Sequence, residues 1–111
     1  MEREIKLQQY LDKQTLEANE FFQDLESFFT STHGFSCIYR DGAPCFIKGT
    51  LQLYLPLFRD HANLYLRNAF GLELFIPEYK LTPKGMIQIG FYQKIPYDLL
   101  SRFIEINTTA F

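Results

Sequence analysis

Residues 84–103, KGMIQIGFYQKIPYDLLSRF, constrain the fold more than any other stretch of this chain. They read as a strand, a short connection and a closing helix. Ile87, Ile89 and Phe91 alternate with Gln88, Gly90 and Tyr92, the two-residue period of a half-buried strand. Pro96 has the fixed φ that suits a first helical turn, and Asp98 favours the positive end of that helix. Leu99, Leu100, Phe103 and Ile104 follow at helical spacing. A sheet with an apolar face needs a cover, and this helix is the local candidate.

The N-terminal third supplies more helix. Ile5, Leu7, Tyr10 and Leu11 form one apolar patch, and Leu16, Phe21, Phe22, Leu25, Phe28 and Phe29 form a broader stripe at i, i+3, i+4 and i+7. The polar run 12–15 separates them, with Asp12 or Thr15 as a cap for the second helix. The spacing predicts a short helix, a break near Asp12 and a longer helix ending at Ser31–Gly34. Strands come next: 35–39, a turn over Arg40–Pro44, then 45–47. Leu51, Leu53, Leu55 and Leu57 alternate with polar or small positions, and Pro56 belongs at a strand end or edge. Arg59–Ala62 reads as a polar reversal and Asn63–Arg67 as a returning strand. In 68–81, Leu72, Leu74 and Ile76 alternate like a strand, while Asn68–Phe70 fit a helical turn.

The sum is one α+β domain over 1–111, an antiparallel sheet covered by N-terminal and C-terminal helices in a two-layer sandwich. Composition agrees. Apolar residues make up 47% of 111, enough for a packed core, and 12 Phe with 7 Tyr and no Trp imply a core or pocket lined with rings. A net charge of −2, with no basic cluster, argues against a nucleic-acid partner. The charged start MEREIKLQQYLDKQ lacks a secretory apolar region, and no apolar run approaches a membrane span, so a cytoplasmic protein with no membrane partner is expected. Cys37 and Cys45 lack zinc or redox spacing and are expected to be reduced.

Several segments together resemble the YdhG-like bacterial domain family. Tyr10-Leu11 with its polar break and long helix is similar to that family's opening, and Gly42-Ala43-Pro44-Cys45-Phe46 to its glycine–x–proline–x–aromatic signature. Leu53–Leu66, with His61 inside the reversal, is similar to its paired apolar strands, and Lys84–Leu100 to its closing strand and helix. The chain departs from the pattern at Asp41, where the family usually has an aromatic, and between Arg67 and Lys84. The resemblance implies a frataxin-like α+β fold. For one branch of the family it implies a non-enzymatic iron chaperone, with weak, transient iron as the cargo.

The sharpest chemical feature is an acidic helix face. Glu17, Glu20 and Asp24 lie at i, i+3 and i+7, so their carboxylates share a side, whereas Glu26 does not join them. Oxygen ligands suit hard cations and iron in transit; the ordinary alternative is a solvated face opposite the core stripe. His61 is a second metal or titrating candidate, its plainer role being a turn residue paired with Asp60. Tyr39, Phe46, Tyr54, Tyr65 and Tyr92 are candidates for a ligand pocket or for an aromatic sheet face that meets a protein partner or a second copy. No nucleophile triad, phosphate loop or zinc signature is present, so no enzyme is predicted.

Overall fold

The computed structural model describes residues 4–66 and 70–109. Helix α1 (Ile5–Asp12) is followed by α2 (Leu16–Ser27) and a π-helical turn at Phe28–Thr32. Six strands form one antiparallel sheet: β1 (Ser36–Arg40), β2 (Ala43–Lys48), β3 (Leu51–Tyr54), β4 (His61–Leu66), β5 (Lys80–Leu81) and β6 (Met86–Gly90). Their spatial order is β1-β2-β3-β4-β6-β5. A 3-10 helix at Leu72–Phe75 lies between β4 and β5, and α3 (Tyr97–Thr109) closes the chain. This is the expected α+β arrangement.

Local chemistry explains the helix boundaries. Thr15 caps α2, its hydroxyl accepting from the Ala18 amide at 3.1 Å. The Asn19 amide group donates to the carbonyls of Leu11 (2.9 Å) and Thr15 (3.1 Å), which ties the end of α1 to the start of α2. At the far end of α2 the Thr30 hydroxyl donates to the Glu26 carbonyl at 2.7 Å, a back-bond that competes with the regular ladder where the helix widens. Gly34 then turns the chain with φ 73°, a left-handed conformation that glycine takes without strain.

Register decides which side chains are inside. Phe46 faces Leu53, Leu64 faces Ile87, and Ala62 faces Ile89 on the helix-covered side. There they join Leu7, Leu11, Phe22, Phe29, Leu100 and Phe103 in one core. Rings carry much of the packing, with Phe46 beside Phe22 at 6.0 Å and Phe29 at 4.7 Å, and Phe75 beside Phe103 at 5.9 Å. The other sheet face presents Ile38, Cys45, Tyr54, Tyr65 and Met86. Because Cys45 pairs with Ile38 rather than with Cys37, the two thiols point to opposite faces and cannot bridge. Burial pushes the Cys45 thiol up, which favours its unreactive protonated form.

Four local expectations are corrected. The first turn is only Asp41–Gly42, and Ala43 and Pro44 are already in β2. Pro44 is tolerated there because its carbonyl accepts from Leu55, while the amide it lacks would face the same spot just beyond the end of β3. His61 and Ala62 open β4 instead of belonging to the reversal. Residues 72–75 are 3-10 helix, not strand: Phe75 is the fully buried residue, and the alternating leucines only flank it. Pro96 precedes α3 as its cap, its carbonyl accepting from Leu100 at 2.9 Å. The expected strand end at Arg67 and the turn at 68–69 lie outside the described residues.

His33 links two helical segments, its Nε2 lying 3.1 Å from the Ser101 hydroxyl and its ring edge-on to Phe28 at 4.7 Å. Burial, then the positive charge of Lys48, hold its imidazole below the ordinary value. The folded state thus prefers neutral His33. Its contribution is fully present above the unfolded pKa of about 6.5 and is lost as pH falls through the lowered folded value. The melting-temperature gap between wild type and His33→Gln is expected to shrink from pH 7.5 to pH 5. A constant gap would show that His33 binds protons equally in the folded and unfolded states, with no lowering by burial.

Candidate functional site

The acidic face of α2 forms one wall of a groove of about 540 Å³. Glu17, Glu20 and Asp24 line it together with Phe21, and Asp60, Phe91, Tyr92, Gln93, Ile95 and Tyr97 complete the lining. Helical periodicity places the first three carboxylates on one side, and the β3–β4 connection adds a fourth. Among the described residues, no Lys or Arg pairs with Glu17, Glu20 or Asp24. A concave surface of one sign, set on a low-dielectric core, focuses an attractive field for cations.

The opposite wall is aromatic. Phe91 packs on Phe21 with centroids 5.0 Å apart, and its amide donates to the Asp60 carbonyl at 3.0 Å, which pins the β3–β4 connection to the end of β6. Tyr97, at the first turn of α3, rests on Phe28 at 5.0 Å and remains 39% exposed. Burial, then the charge of Asp24, push its phenol up, so it stays protonated at neutral pH. Tyr92 is 90% exposed at the lip.

Asp60 is held by its neighbour. His61 donates from Nδ1 to Asp60 Oδ1 at 2.7 Å, and its ring stacks on Phe58 at 4.8 Å and 13°. That hydrogen bond holds the Asp60 carboxyl below the usual carboxylate range. His61 therefore has the pairing with Asp60 anticipated for it, from a strand position.

The aromatic set named from the sequence does not form one surface. Phe46 is fully buried under α2, because its register faces the helices. Tyr39 packs on Tyr10 at 5.7 Å at the covered edge. Tyr54 and Tyr65 share the open sheet face at 6.1 Å, but Tyr54 is only 6% exposed, with its hydroxyl donating to Asp41 at 3.3 Å. Tyr92 lies beyond β6, in the groove. Glu26 lines a separate groove with Glu4, Gln8 and Ser27.

Sequence reasoning missed Asp60 and Tyr97 as partners of the acidic face, since they come from segments distant along the chain. Among the described residues, no three His, Cys, Asp or Glu side chains converge as a metal-ligand set, and no helix is long and apolar enough to cross a membrane. Comparison with protein-family models, with curated proteins and with solved structures gives no match to this chain.

Proposed function

We propose that this chain is a non-enzymatic binding module whose groove between α2 and residues 91–97 holds a positively charged organic group. One observation carries the reading: Glu17, Glu20 and Asp24, which pair with no Lys or Arg among the described residues, share a single groove with the exposed Tyr92 and Tyr97. Carboxylates attract a cation from a distance, and aromatic faces reward one that sheds its water. Nothing in the groove combines a nucleophile with a base, so binding rather than reaction is its natural use.

The test is an amide NMR titration with n-butylammonium. Saturable shifts confined to residues 17–24, 60 and 91–97 are expected. A Glu17→Gln/Glu20→Gln/Asp24→Asn variant should weaken binding about tenfold: three exposed charge contacts at about 0.5 kcal/mol each approach the roughly 1.4 kcal/mol that corresponds to a factor of ten. Unchanged affinity in that variant would refute the reading.

Iron delivery, the role implied by the YdhG-like resemblance, is a second reading that uses the same carboxylates. Asp60 adds an oxygen donor from a second segment to the groove, but among the described residues these side chains do not converge as a ligand set, so only a weak, transient cation fits this reading. Anaerobic titration with ferrous iron separates the two readings. Line broadening focused on Glu17, Glu20 and Asp24, displacing butylammonium, would favour iron as the cargo.

A further inference from the structure

We infer that Tyr92, seated over Gly90, is the residue by which the groove selects alkylated organic cations over bare ammonium. The inference rests on the cation-binding reading above and names the class of ligand.

Gly90 closes β6 and is buried. Its φ lies outside the left-handed region, unlike those of Gly34, Gly42, Gly49, Gly71 and Gly85. Backbone freedom therefore does not require glycine at this position. Space does. A Cβ on residue 90 would lie 2.7 Å from Tyr92 Cε1, closer than such atoms approach, and 3.1 Å from Cζ, tighter than most contacts. The ring is folded back onto the strand end, over the place where a side chain would stand.

The turn beneath the ring is fixed from both sides. The Gly90 amide donates to Gln93 Oε1 at 2.7 Å, and the Gln93 amide donates back to the Gly90 carbonyl at 3.0 Å. Yet the ring so carefully accommodated is 90% exposed and adds almost nothing to the core. A tyrosine this exposed, held at the lip of a groove walled by Glu17, Glu20 and Asp24, has the position of a ligand platform.

The chemistry of that platform is selective. An alkylated ammonium is weakly hydrated, so its methyl groups can lie on a ring while its charge meets the ring quadrupole. Bare ammonium keeps its water and its hydrogen bonds, and gains mainly from carboxylates. The carboxylates thus set how strongly the groove attracts cations, and Tyr92 sets which cation it prefers.

The experiment compares butyltrimethylammonium with n-butylammonium by NMR titration of the intact protein. Wild type should bind the trimethylated cation about fivefold tighter, the equivalent of about 1 kcal/mol for one exposed cation–ring contact. Tyr92→Phe should keep the preference and Tyr92→Leu should lose it. Gly90→Ala should fold with an unchanged or slightly higher melting temperature, since the clashing atoms belong to a free-ended ring, but should also lose the preference. If both cations bind through the carboxylates and Tyr92→Leu retains the preference, the selector role is overturned while the groove stands. If neither cation binds, or binding ignores the carboxylates, the groove reading and the inference fall together.

Discussion

Phe46→Ala is expected to lower unfolding free energy by about 3–5 kcal/mol, the usual cost of removing a fully buried aromatic ring. Phe46 is fully buried, lies between Phe22 and Phe29, and faces Leu53 across the β2–β3 ladder. Its ring joins α2 to the middle of the sheet, so the cavity left by alanine is bounded by two elements that cannot both collapse into it. Phe46→Leu should cost about 1.5 kcal/mol or less, because most of the volume remains. Urea denaturation reads both variants, with midpoints shifted and slopes unchanged. A loss near zero for alanine would mean that Phe46 lines a ligand pocket, as the aromatic pattern alone allowed. For a domain whose whole stability is of order 5–15 kcal/mol, the alanine variant would sit near the limit of folding.

Most of the architecture is legible because its signals are local and periodic. Phe21, Phe22 and Leu25 of α2, the Thr15 cap and the alternation of Ile87 and Ile89 each state a secondary structure and a buried side at once, whereas Ile5 and Leu16, counted from spacing in the two apolar patches, sit at the helix starts and are 74% and 75% exposed. The failures have physical causes. Leu72, Leu74 and Ile76 have the spacing of a strand, but three residues of alternation are too few to define a period, and Phe75 between them takes the core position against Phe103. Pro44 reads as a turn residue because its missing amide is visible in the sequence, whereas the direction in which that amide would point is not.

The groove divides in the same way. Glu17, Glu20 and Asp24 share a face by helical geometry alone, so one wall is legible from spacing. The other wall depends on where β3–β4, the end of β6 and the start of α3 come to rest, and no periodicity reports that. One signal was present: Gly90 interrupts an otherwise regular strand pattern directly before Phe91 and Tyr92, and a glycine inside a strand often marks a close approach. Here it is a side-chain ring that approaches.

Asn107→Ala is the second large expected effect, at about 2–4 kcal/mol, and it tests how the segment after β4 is held. Asn107 is the buried polar residue of α3, 6% exposed. Its Nδ2 donates to the carbonyls of Phe70 (2.9 Å) and Phe103 (2.8 Å), and its Oδ1 accepts from the Phe70 amide (2.8 Å). Both backbone groups of Phe70 therefore depend on one side chain, and each buried group left unpaired costs about 1–3 kcal/mol. Burial cannot replace that anchor, because the Phe70 ring itself is 63% exposed. Gly71, with φ 96°, then turns the chain into the 3-10 helix that delivers Phe75 to the core. Freeing Phe70 should loosen this whole entry. Thermal melting should show the loss, and hydrogen exchange should show it concentrated at Phe70 and Leu74. Asn107→Asp keeps an acceptor for the Phe70 amide but sets a buried carboxylate against the Phe70 and Phe103 carbonyls, so at neutral pH it should destabilise at least as much as alanine. Equal exchange at Phe70 in wild type and Asn107→Ala would refute the anchor and leave the segment held by Phe75 alone.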